Sequence, residues 1–200
     1  MPYDRLTRWL HVGLGLGIPL QLLSEAFMKH KATIIEHGVP RARTAMETNF
    51  FAMHEAIGIA LFFLIALHIL WSITRAGGGL GRLFPYFSTG GSTALIEELK
   101  QVPGWLSGKL HETAEESMLA GAVHGLGLLL VLGMGLTGIT IFFGMDEASG
   151  NITGVTHDIA EVHEALGSLI WVYLIGHVSM VVLHRIKGHD LLSRISPLAK

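Results

Sequence analysis

Apolar residues run almost uninterrupted through four stretches of the chain, at about residues 10–27, 50–73, 118–143 and 160–184. Each is close to the roughly 20 residues that cross a hydrocarbon core. Lipid offers backbone N–H and C=O groups no partners, so such stretches must be helices. The chain therefore reads as an all-α integral membrane protein, a four-helix transmembrane bundle occupying residues 1–200 as one domain. The first stretch is the weakest, because it contains Pro19, Gln21 and Glu25. Glycines mark it at Gly13, Gly15 and Gly17, and five more lie from Gly125 to Gly138 in the third. Small residues at this density let a neighbouring helix or a flat ring approach closely.

The connections are less regular. Residues 28–49 show little hydrophobic periodicity and are expected to form an outer loop or a short surface helix. Gly77-Gly78-Gly79 is expected to end the second helix. The connection 75–117 contains FPYFSTGG and then IEELKQVPGWLSGKL, the second an amphipathic segment expected on the cytoplasmic surface. The tail GHDLLSRISPLAK is amphipathic, and Pro197 stops any helix there. Ser24-Glu25-Ala26 resembles a small-x-small signal cleavage site. Cleavage would discard His11 and leave three spans with the termini on opposite sides, so an intact first helix is expected.

Polar residues inside the apolar stretches are mostly histidines. His54-Glu-Ala-Ile-Gly through His68 and His163-Glu-Ala-Leu-Gly through His177 repeat in register, offset by 109 residues. The fourth stretch thus holds two histidines fourteen residues apart, about 21 Å along a helix and within roughly 40° of one face. One metal ion cannot use both. Two large cofactors can, and haem commonly takes an imidazole from a facing helix. The repeat implies two related helix-pair halves, and His124 lies about where His11 lies, which extends the duplication loosely.

Composition narrows the chemistry. There is no cysteine among the 200 residues, which excludes disulfides, thiolate zinc sites, iron–sulfur clusters and cysteine nucleophiles. Histidine must carry any metal chemistry. There are twelve, six of them (His11, His54, His68, His124, His163, His177) within apolar stretches, where a polar ring is costly and usually functional. His30, His37, His111, His157 and His189 read as solvated. His124 and His184 stand between packed side chains and functional ones. The net charge of −2 gives no sign of nucleic-acid binding. Ten of the fourteen Lys and Arg residues fall in the amino end, the middle connection and the tail, four in the first connection and none in the third. Both termini are therefore expected in the cytoplasm. A histidine-lined metal or proton transporter is a competing class, but the repeat is parallel rather than inverted, and no acidic cluster sits at mid-membrane.

HEALGSLIWVYLIGH through GHDLLSRISP, with RWLH in helix one and HEAIG in helix two, resembles the bacterial cytochrome b561 family. That family is related to the cytochrome b subunits of nickel-iron hydrogenases and formate dehydrogenases. The resemblance implies two b-type haems, each held by two histidines, passing electrons between quinone and a redox partner in the bacterial inner membrane. Carried over by position, His54 and His163 hold the outer haem and His11 and His177 the inner one. Many members have a basic residue where this chain has His68, and helix spacing alone would pair His68 with His177. Both inner assignments stay open. Gly58 and Gly167, each one turn after a ligand, are expected to let the porphyrin lie against the backbone. Glu55 and Glu164 are candidates to orient the ligands or take up protons, and Arg5, Arg8, Arg41 and Arg43 to bind propionates. The resemblance leaves two roles open: an electron conduit for a c-type cytochrome or a dehydrogenase or hydrogenase subunit, and a stand-alone quinone-coupled oxidoreductase such as a superoxide oxidase. Expected partners are lipid, quinone, such a redox subunit and, as an open alternative, a second copy of the chain.

Overall fold

The computed structural model describes residues 4–31, 33–74, 79–106, 117–146 and 149–198. Gly77, Gly78 and His111, named above, lie outside the described residues. Among the described residues, four helices are long and apolar enough to cross a membrane: α1 (Arg5–Phe27), α2 (Ala45–Thr74), α6 (Met118–Gly144) and α7 (Val155–Ile186). Their 23, 30, 27 and 32 residues exceed the four apolar stretches. The excess lies at polar ends, where a helix can continue into the interfacial region. Large apolar side chains on these helices stand outward, Phe143 at 82%, Val172 and Leu16 at 71% and Phe63 at 65% exposure. An outer surface of this kind suits lipid and not water.

The first connection is a β-hairpin, not a featureless loop or a surface helix. Strand β1 (Thr33–Glu36) pairs antiparallel with β2 (Val39–Ala42), with Glu36 opposite Val39. The two turn residues His37 and Gly38 have φ of 51° and 81°, the left-handed pair that suits a two-residue hairpin. The start of α2 anchors the hairpin. Thr44 Oγ1 accepts from Glu47 N–H at 3.2 Å while Glu47 Oε2 accepts from Thr44 N–H at 2.8 Å, a reciprocal capping box. Arg41 then grips the same carboxylate with two guanidinium nitrogens at 2.8 and 2.9 Å and also pairs with Glu36.

The middle connection is largely helical. It comprises α3 (Gly79–Leu83), a 3₁₀ turn at Pro85–Phe87, α4 (Thr89–Leu99, capped by Ser88 Oγ accepting from Gly91 N–H) and α5 (Val102–Leu106). Glu98 of α4 reaches the start of α6, accepting from Met118 N–H at 2.6 Å, Leu119 N–H at 2.9 Å and the Ser117 hydroxyl at 2.7 Å. These amides have no partner within α6, and a carboxylate also complements the positive end of the helix dipole. Burial alone would raise the Glu98 pKa, but these hydrogen bonds outweigh it and hold the carboxyl below its ordinary value. Gly188, at φ 85°, ends α7. The last helix, α8 (Leu192–Ile195), stops at Ser196, one residue before Pro197 as its fixed φ requires.

The chain divides into two compact units, each taking part of every long helix. Unit 1 comprises residues 1–12, 66–130 and 172–200, and unit 2 residues 13–65 and 131–171. In unit 2, Ile65 is fully buried, with Leu14, Leu22, Leu61, Val131 and Ile170 nearly so. Glycines receive the large side chains of α2: a Cβ at Gly17 would lie 2.6 Å from Leu61 Cδ2, and one at Gly135 2.7 Å from Phe62 Cδ2. In unit 1, Leu10, Ala122 and Leu128 are buried. A Cβ at Gly125 would meet the Leu83 carbonyl oxygen at 1.8 Å, so α3 lies directly on α6 there.

Candidate functional site

Each unit holds a histidine cluster of its own. In unit 2, α2 carries His54 and α7 carries His163, with ring centroids 6.5 Å apart and planes at 74°. Each ring is fixed from behind by a hydroxyl on another helix. Ser24 Oγ of α1 lies 3.1 Å from His54 Nδ1, and Thr137 Oγ1 of α6 lies 2.8 Å from His163 Nδ1. Gln21 Nε2 donates to the His54 carbonyl at 2.9 Å, while its buried Oε1 has no hydrogen-bond partner among the described residues.

Gly58 faces the Gln21 amide, since a Cβ there would lie 3.0 Å from Gln21 Nε2. It therefore makes room for a side chain that holds α1 to α2. Gly167 has only Met134 Cε nearby, at 3.9 Å. The glycine that seats an imidazole is Gly138, where a Cβ would lie 3.2 Å from His163 Cε1. Glu164 is exposed, and the hydroxyls of Ser24 and Thr137 face the His54 and His163 rings.

In unit 1, His11 of α1, His124 of α6 and His177 of α7 offer ring nitrogens that all lie within 4.8 Å of one another. The His11 and His177 centroids are 6.3 Å apart, those of His124 and His177 5.2 Å. Tyr173 stacks on His177 at 5.6 Å and 16°, packed so closely on α6 that a Cβ at Gly127 would meet its hydroxyl at 2.3 Å. His124 Nδ1 donates to the Ala120 carbonyl at 2.7 Å, leaving Nε2 as the acceptor. His68 stands outside this trio, and Ser72 Oγ, which donates to the His68 carbonyl at 2.8 Å, lies 3.4 Å from its Nδ1.

The charged residues are partly committed elsewhere. Arg8 is 6% exposed, and its Nη1 donates to the Ser196 carbonyl at 2.8 Å. Arg41 is held by Glu36 and Glu47, and Arg43 donates to the Lys31 and His30 carbonyls with its guanidinium 4.2 Å from the Phe51 ring centroid. These two arginines build the hairpin, which accounts for the basic first connection. His30, His37 and His157 are exposed as expected. His189 is not simply solvated: its Nδ1 lies 2.9 Å from Nδ1 of the buried His184.

Whether these clusters fit haem iron can be tested on distance. A metal–imidazole bond is about 2 Å and a ring centre lies about 1 Å behind its nitrogen, so two imidazoles on opposite sides of one ion have centroids roughly 6 Å apart. The separations of 6.5 Å for His54–His163 and 6.3 Å for His11–His177 fit that arrangement, and the 5.2 Å of His124–His177 is tighter. A neutral imidazole is the donor this chemistry needs, and the chain has no thiolate to compete. The model for the prokaryotic cytochrome b561 family matches residues 2–197. No curated protein and no solved structure matches the chain. With four membrane-spanning helices and histidine pairs spaced for iron, the chain belongs to the prokaryotic cytochrome b561 family, as a multi-pass membrane b-type cytochrome that binds haem b through histidine and serves in electron transfer.

Proposed function

We propose that the chain is a di-haem cytochrome b of the bacterial inner membrane, carrying single electrons between the quinone pool and a redox partner such as a c-type cytochrome or a dehydrogenase or hydrogenase subunit. The observation that carries this reading is the pair of imidazole separations, 6.5 Å for His54–His163 in unit 2 and 6.3 Å for His11–His177 in unit 1. Haem b, when bound, would supply a one-electron carrier, held by these histidines. His54 and His163 are the ligands of the outer haem, and His11 and His177 those of the inner. His68 is the alternative inner ligand, disfavoured by its place outside the three-nitrogen cluster. Arg8, a buried cation one turn before His11, is suited to a propionate. Gly167 leaves room beside His163 for a flat ring.

The deciding experiment is the haem-to-protein ratio of the purified chain. Two b-type haems are expected, falling to one in His163→Ala and to one, the other, in His177→Ala. A single haem in the unaltered chain, or loss of both from either variant with the protein intact, would overturn the two-site reading. His11→Ala and His68→Ala separate the inner assignments, since only the true ligand's loss abolishes the low-spin signal of the inner haem. Superoxide-dependent quinone reduction by the purified chain alone would assign the stand-alone role in place of the conduit.

A further inference from the structure

We propose that Ser24 and Thr137 are the positioning residues of the outer site: their hydroxyls accept from the Nδ1–H groups of His54 and His163, fixing both rings with Nε2 turned to the iron. The argument is one of proton counting. A hydroxyl has one hydrogen to donate. That of Ser24 goes to the Gln21 carbonyl, 2.7 Å away, and that of Thr137 to the Gly133 and Met134 carbonyls, at 2.8 and 3.1 Å. Carbonyl oxygens only accept, so the remaining contact of each hydroxyl, to Nδ1, must be one in which the imidazole donates. A neutral imidazole protonated at Nδ1 has its lone pair at Nε2. Each hydroxyl therefore selects the tautomer an axial ligand needs, and it does so in a layer where an unpaired N–H would be costly.

Two further observations point the same way. Ser24 is fully buried, although it lies near the end of α1. Ser24 and Thr137 are also 113 residues apart, the same separation as His11 and His124, so the hydroxyls occupy equivalent positions of α1 and α6. Their partners His54 and His163 occupy equivalent positions of α2 and α7. The duplication thus repeats the pair, ligand with orienting hydroxyl, and not the ligand alone. Donation from Nδ1 makes the ligand more basic and favours ferric iron, as hydrogen bonds behind metal-bound histidines generally do.

The proposal rests on His54 and His163 being iron ligands, and the test keeps the two apart. In the purified holoprotein, Ser24→Ala and Thr137→Ala are expected to keep both haems while the outer haem shifts toward the ferrous form. The shift should be about threefold to tenfold in its equilibrium constant for each variant, tenfold being about 59 mV for one electron. Its electron paramagnetic resonance anisotropy, which reports the angle between ligand planes, should change too, and the inner haem should not. Ser24→Thr and Thr137→Ser should restore both properties. Unchanged potential and anisotropy in the Ser24→Ala/Thr137→Ala double variant would overturn the proposal. Should the alanine variants not accumulate, electron–nuclear double resonance of the unaltered chain decides, because an exchangeable Nδ1 proton on each outer ligand is required and its absence refutes the assignment. Failure of the ligand reading itself looks different: His163→Ala would then keep the outer haem.

Discussion

Gly138 and Gly127 illustrate how much of each site depends on the absence of a side chain. A Cβ at Gly138 would press on His163 Cε1 from 3.2 Å, a contact that the ring can relieve by moving a few tenths of an ångström. On the two-haem reading proposed above, Gly138→Ala is therefore expected to retain the outer haem with an altered midpoint potential, read by redox titration; complete retention of the native potential would refute the role. Gly127 is more demanding, because its Cβ would lie within 2.9 Å of the hydroxyl and two ring carbons of Tyr173, whose rigid ring stacks on His177. Overpacking of this kind costs about 1–3 kcal/mol. Gly127→Ala should lower the unfolding temperature in detergent and perturb the inner haem spectrum, with the outer one unchanged. The sequence pointed to the glycine-rich faces of α1 and α6 and named Gly58 and Gly167 as the pair expected to face a porphyrin; the structure adds that Gly58 admits Gln21, a contact set by helix rotation, which spacing from a histidine does not fix.

At the scale of elements, the connections hold the main surprises. The hairpin was legible in hindsight: Thr44 and Glu47 form an S/T-x-x-E box before an apolar run, and His37-Gly38 is a two-residue turn between short strands. Its alternation is weak, with only Ile34 and Arg41 less than exposed, so no buried face announced it. Glu98 gives the middle connection its footing on α6. A carboxyl held below its ordinary pKa stabilises the fold at pH values above its unfolded pKa, and that contribution is lost as pH falls through the lowered folded value. Protection of the Met118 and Leu119 amides, measured as exchange relative to the intrinsic rate at each pH, should accordingly fall on acidification, and Glu98→Gln should lower it at neutral pH. Undiminished protection in that variant would refute the cap. Gly125→Ala should be more damaging than Gly127→Ala, since its Cβ meets the backbone of α3 and not a side chain.

For the molecule as a whole, the apolar outer surface of four long helices requires a bilayer. The distribution of Lys and Arg predicts both termini in the cytoplasm and the connection between α6 and α7 outside, because that connection carries no basic residue. Alkaline phosphatase fused after Gly150 should be active and a fusion after Ile195 inactive, and the opposite pattern would invert the topology.

The sequence by itself determined the membrane spans, the restriction of any metal chemistry to histidine and the duplicated histidine spacing. Each of these follows from a property that survives without packing: apolar length, residue chemistry and helical periodicity. Tertiary structure alone decided which rings meet. It set His11 beside His177 with His124 as a third neighbour, left His68 outside that trio, and put Ser24, which in sequence resembled a cleavage motif, behind His54. The physical reason is that facing between helices depends on their rotation and close approach, set by side chains from distant segments, such as Leu61 against Gly17 and Leu83 against Gly125.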